Sequence, residues 1–126
     1  MPTKTRDNTV VWFEIPVHDF DRAVGFYETV LGTQLHREDT GPFQMGIFQE
    51  KNKKPKGCII AGEGCKPGRE GTMVYVNAGK HLPRALKQVK EAGGEVLQQM
   101  THLPNDMGMY AIIRDTEGNR VGLHAA

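Results

Sequence analysis

VVWFEIPVHDFDRAVGFYETVLG, residues 10–32, is the stretch that decides the fold. Val10 to Val17 is rich in β-branched and aromatic residues, with a polar Glu14 among them. That pattern predicts a strand buried on one face and lining something on the other. Asp19 then offers an N-cap, and Asp21 puts negative charge in the first turn of a helix. Phe20, Ala23, Val24, Tyr27, Val30 and Leu31 follow at helical spacing and form one apolar stripe, and Gly32 is placed to end it. The unit is a strand, a tight connection, an amphipathic helix and a stop.

The second half repeats it. A shift of about 62 positions lays Arg22 on Arg84, Ala23 on Ala85, Val24 on Leu86, Gly32 on Gly94 and Leu35 on Leu97. LPRALKQVKEAGG carries the same stripe through Leu82, Ala85, Leu86, Val89 and Ala92, with Pro83 favoured in a first turn. One copy cannot bury both its helix face and its sheet face, so two half-domains are expected to pair.

Working outward, Gln34–Glu38, Phe43–Gln49 and Gly57–Gly62 read as strands, with a Gly41-Pro42 turn between the first two. KNKKPK, residues 51–56, reads as a solvated hairpin tip or as a patch for an anionic partner. Glu63–Gly71 links the halves. Thr72–Asn77, Glu95–Met100, Met109–Arg114 and Asn119–His124 complete the second set of strands, with a Leu82–Ala92 helix between the first two. The expected class is α+β, as two βαβββ modules, about 9–62 and 71–124, in one domain.

The chain has 126 residues, 38% hydrophobic and 25% charged, with a formal net charge of +1. These values fit one globular domain and give no electrostatic bias toward nucleic acid or membrane, so neither is an expected partner. MPTKTRDNT lacks the apolar core of a signal peptide, and no apolar run approaches membrane-spanning length. Cys58 and Cys65 lack CxxC or zinc-pair spacing and read as free thiols of a cytoplasmic protein.

The βαβββ repeat, the FEIPVHDFDRAVGFYETVLG opening and the DTEGNRVGLH ending resemble the vicinal oxygen chelate superfamily, over nearly the whole chain. That superfamily includes glyoxalase I, extradiol dioxygenases, fosfomycin resistance enzymes and bleomycin-binding proteins. The resemblance implies a curved mixed sheet with helices on its convex face, a small ligand in the concavity, and a homodimer. Metal-dependent members supply a His from the first strand of a module and a Glu from its last. The matching positions here hold Trp12, Ile60 and Gly122, and TMVYVN has neither His nor carboxylate. These residues offer a divalent cation no donor, so no metal or cofactor is expected.

Strand alternation puts Val11, Phe13, Ile15 and Val17 toward the helix, and Trp12, Glu14 and Pro16 toward the concavity. Arg120, Gly122 and His124 are expected on the same inner side. A carboxylate beside an indole on a central strand is costly unless paired or wet. Glu14 therefore reads as a ligand anchor, a general base, or a structural partner of Arg120, Arg114 or a backbone amide. Trp12 is a stacking wall or core filler. Tyr75 and Tyr110 are candidate pocket donors, because a buried hydroxyl needs a partner. His124 reads as an acid–base group or a satisfied terminal side chain. Met107 and Met109 flank Gly108 in a possible apolar lid, with Met109 also suiting the core. His18 reads as exposed, and His36, His81 and His102 share no spacing.

Three functions compete: a small-molecule-binding protein without chemistry, a metal-free isomerase or lyase using Glu14 as base, and a metalloenzyme with non-standard ligands. Replacing Glu14 by Gln separates the first two, and a metal assay decides the third.

Overall fold

A computed structural model describes residues 9–126. The elements run β1 (Phe13–Pro16), α1 (Phe20–Leu31), β2 (Leu35–Asp39), β3 (Phe43–Phe48) and β4 (Gly57–Gly62). The second half follows with β5 (Tyr75–Asn77), α2 (Leu82–Glu91), β6 (Glu95–His102), β7 (Met109–Arg114) and β8 (Arg120–Ala125). The strands make two open four-stranded mixed sheets, ordered β1-β4-β3-β2 and β5-β8-β7-β6. Within each sheet the outer strand preceding the helix pairs in parallel and the other contacts are antiparallel. This is the α+β, twice-βαβββ architecture read from the sequence. No described helix is long and apolar enough to cross a membrane.

The first helix forms as its sequence dictates. The Asp19 carboxylate accepts from the Arg22 N–H at 3.1 Å, and Gly32 takes φ +68° at the other end. Its buried face is Phe20, Ala23, Val24, Phe26, Tyr27 and Val30; the apolar stripe had not included Phe26. α2 lacks a side-chain cap, and its buried residues are Leu82, Ala85, Leu86 and Val89. One core cluster takes residues from both halves, among them Ile15, Val17, Ile59 and Ala61 of the first and Val76, Ile113, Val121 and Leu123 of the second.

Three expectations change. Val11 precedes β1 and is 72% exposed instead of packed on the helix, because no strand partner holds it in the pleat. Leu97 is exposed where Leu35 is buried, so the 62-residue shift fails beyond the helices. It also fails in the first strands. Pro16 pairs with Ile60 and Tyr75 with Gly122, so the strand offset is 59 while the partner offset is 62. The connection from that point to the helix is three residues longer in the second half. An odd slip reverses the faces of a strand. Phe13 accordingly packs on the core, whereas Tyr75 lies on the opposite face of its sheet.

The two halves are tied by the turn between β7 and β8. Asp115 and Glu117 are buried there. The Tyr27 hydroxyl donates to Asp115 Oδ2 at 2.7 Å, across 88 residues of sequence. Glu117 Oε1 accepts from the backbone N–H groups of His18 and Asp19 and from Arg22 Nη2, while Oε2 accepts from Arg22 Nε and the Thr116 hydroxyl. The carboxylate thus supplies a second, remote cap at the positive end of α1. Asn119 donates to the Pro16 carbonyl at 2.7 Å and accepts from the Gly68 N–H, holding the end of β1 and the linker together.

Candidate functional site

Two groups of the candidate residues stand on sheet faces turned away from the helices, one on each sheet. On the first sheet, Trp12 and Glu14 are neighbours, and the indole N–H donates to Glu14 Oε2 at 3.2 Å. Both are exposed. The premise of a carboxylate buried at cost is therefore corrected: Glu14 is wet, and its partner is the indole and not Arg114 or Arg120. Cys58 lies beside Glu14 across the parallel β1–β4 pair and is fully buried. Burial, with smaller contributions from the nearby Glu14 charge and Cys65, pushes its thiol up to about 12, so it stays protonated and poorly nucleophilic.

On the second sheet, β5, β8 and β7 align Tyr75 with Gly122, Asn77 with His124, and His124 with Tyr110. Gly122 is the floor. A Cβ added there would stand 2.2 Å from the Tyr75 ring, so only a glycine lets the ring lie on the backbone. The ring is held edge-on to Tyr110 at 6.0 Å between centroids, and Tyr75 remains 51% exposed. The Tyr110 hydroxyl accepts from Gln98 Nε2 at 2.9 Å. His124 Nε2 lies 2.6 Å from the Met107 carbonyl. A carbonyl only accepts, so Nε2 carries the proton and, in the neutral ring, Nδ1 is left as an acceptor.

Met107 has a half-exposed side chain, and Met109 packs against the core. Gly108 between them has φ +94°, and a Cβ there would meet the Ala125 carbonyl at 2.2 Å. The glycine is required for a close backbone approach, which sets the loop against β8 rather than leaving it as a free hinge.

The structure therefore brings Tyr75, Tyr110, His124 and the Met107 backbone together, and Trp12 with Glu14 separately. No hydrogen bond or ring contact joins the two groups among the described residues. Gln98 was missed by sequence reasoning; its only signal is its place opposite Ile112 in the irregular β6–β7 pairing. A Gly122→Ala variant is expected to remain folded while the half-exposed Tyr75 ring leaves its seat. Loss of the nuclear Overhauser effect between the Tyr75 and Tyr110 rings is the readout.

Ile60 and Gly122, two positions where the resemblance implies metal ligands, lie under cover: Ile60 is buried, and Gly122 sits beneath the Tyr75 ring. Among the described residues no three His, Cys, Asp or Glu side chains converge as a metal site would require.

Comparison with known proteins follows the same lines. A family model for the Glyoxalase/Bleomycin resistance protein/Dioxygenase superfamily matches residues 9–123. A search of curated proteins found no match. Among solved structures, the hypothetical protein SA1046 from S. aureus is similar at 19% identity and a TM-score of 0.64, over 96% of this chain and 100% of that one. A glyoxalase/bleomycin resistance protein/dioxygenase family enzyme from Burkholderia phytofirmans PsJN is similar at 12% identity and a TM-score of 0.66, over 91% and 96%. Glyoxalase I from Zea mays is similar at 22% identity and a TM-score of 0.62, over 91% of this chain but 45% of that one. At these identities the likeness is one of fold.

Proposed function

The chain belongs to the glyoxalase/bleomycin resistance protein/dioxygenase superfamily, and on that premise we propose that it holds a small, partly aromatic molecule without transforming it. The observation that carries this reading is the open tyrosine array of the second sheet. Tyr75 keeps half its surface in water, yet it is fixed from below by the bare Gly122 backbone and from the side by Tyr110. A ring held in place but uncovered offers a ready stacking surface. His124 and the Gln98–Tyr110 pair add polar groups at its border.

The donor chemistry supports the same reading. An indole at position 12, an alkyl chain at 60 and a glycine at 122 give a divalent cation no side-chain donor to bind. The residues do not fit the metal used by metal-dependent relatives, and no step here runs through one. A metal-free isomerase or lyase is the second reading, favoured by Glu14: its carboxylate is exposed and accepts only from the indole among the described residues. A free carboxylate oxygen beside an aromatic wall is what a general base requires.

The test is a thermal-shift screen of planar aromatic acids and phenols against the intact chain. A compound present at a hundredfold excess over its dissociation constant stabilises the folded state by about 2.7 kcal/mol. The expected result is a stabilising compound whose effect disappears in Tyr75→Ala and Tyr110→Ala. Stabilisation that survives both substitutions would count against the tyrosine array. Turnover of the bound compound, lost in Glu14→Gln with affinity retained, would decide for the second reading.

A further inference from the structure

The connection between β3 and β4 runs from Gln49 to Lys56, longer than the roughly 2–5 residues a hairpin needs. It holds Lys51, Lys53, Lys54 and Lys56, the basic run singled out in the sequence. Three of these, Lys51, Lys53 and Lys56, border a crevice of about 590 Å³ between the two halves of the molecule. Its floor is apolar. Phe13 and Phe48 lie there with ring centroids 5.7 Å apart and Leu31 also lines it. The opposite wall is the end of β5 and the backbone leading to Gly79.

The rim is electrostatically unbalanced. None of the three lysines forms an ion pair among the described residues, whose four salt bridges use Arg22, His36, Arg37 and Arg114 instead. Glu50 is the single carboxylate on the lining. The volume lies within the roughly 300–1,000 Å³ of small-molecule pockets. An apolar floor excludes a fully hydrated anion, and a lysine rim repels a cationic amphiphile and gives a neutral one no charge partner. Ammonium groups on flexible stems can keep their charge in water while reaching an anion at the mouth.

We propose that this crevice is a second ligand site, for an amphiphilic carboxylate whose hydrocarbon body lies on Phe13, Phe48 and Leu31 and whose head group sits among Lys51, Lys53 and Lys56. It is separate from the Trp12–Glu14 pair, because Phe13 and Glu14 point to opposite faces of β1. It does not depend on the tyrosine array, although Tyr75 borders both.

Calorimetric titration of the intact chain with decanoate, and with decanol as the neutral control, tests it. Decanoate is expected to bind the unmodified protein at low salt and to bind K51Q/K53Q/K56Q at least about tenfold more weakly. These side chains are on a solvated loop, so the variant keeps its fold, which circular dichroism checks. Added salt is expected to weaken decanoate binding in the unmodified protein and hardly at all in the variant. Gln98→Ala, which removes the partner of the Tyr110 hydroxyl and touches no residue of the crevice lining, is expected to bind decanoate normally. Absence of decanoate binding, equal affinity in the lysine variant, or decanol binding as tightly would each overturn the proposal. Loss of decanoate in Gln98→Ala would move the ligand to the tyrosine face, overturning the crevice while leaving the earlier reading in place.

Discussion

Replacing Asp115 by alanine is expected to lower the unfolding free energy by about 3–5 kcal/mol, a large share of the roughly 5–15 kcal/mol that holds a typical domain together. Asp115 has no exposed surface. Its Oδ1 accepts from the backbone N–H groups of Glu117 and Asn119, and its Oδ2 accepts from the Tyr27 hydroxyl and Asn119 Nδ2. Alanine strands all four donors where water does not reach. Stranded donors cost about 1–3 kcal/mol each, though not additively in one network. Tyr27→Phe is the graded control, removing one donor and leaving Asp115 three, with an expected loss of about 1–2 kcal/mol. Burial first, and then Asp115, holds the Tyr27 hydroxyl well above the usual tyrosine range, so it stays a donor at ordinary pH. Urea unfolding of the two variants checks the order; equal losses would show that Asp115 acts only through Tyr27.

Glu117→Gln is the second large effect and carries a pH signature. Burial alone would push the Glu117 carboxyl up. The Arg22 guanidinium, the Asp19 and His18 N–H groups and the Thr116 hydroxyl outweigh it and hold the carboxyl down at about 2, against an ordinary value of 4.5. A carboxyl with a depressed folded-state value stabilises the protein fully above the unfolded value. That stabilisation is lost as pH falls from about 4.5 to about 2. At face value the shift corresponds to about 3 kcal/mol; the half-exposed guanidinium is screened by water, which brings the expected contribution to about 2 kcal/mol. The difference in stability between the natural protein and Glu117→Gln should therefore be constant between pH 5 and 8 and shrink below 4.5. A difference that persists undiminished near pH 2 would show that the glutamine acts by shape and not by charge.

The residues differ in how far the sequence exposed their roles. α1 was legible because its signals are local: the Asp19 cap, the apolar stripe and Gly32 lie within one turn of what they control. Period-two alternation also sorted Ile15 and Val17 from Glu14, and Leu123 from His124, since a strand carries its own face assignment. Asp115 and Glu117 fall between two predicted strands, and nothing near them in sequence announces partners 88 to 99 positions away. Tyr75 was placed among the pocket residues, but its seat on Gly122 follows from a register that a repeat shift of 62 does not contain. The lysines of the long loop were visible as a charge run, whereas the aromatic floor beneath them joins Phe13 and Phe48 from separate strands of the first half and the wall opposite comes from the second half.

The remote cap of α1 has a consequence for biosynthesis. The first helix emerges from the ribosome nearly a hundred residues before the acidic turn that closes on its leading end. Until that turn arrives, nascent chain must hold Tyr27 without its acceptor and Arg22 without its counter-ion, at a stage when loop-closure entropy still opposes the long-range contact. Translation is therefore expected to pass Glu117 before the first half becomes resistant to protease, and a ribosome stalled ahead of Asp115 should display a chain that chaperones recognise as unfinished.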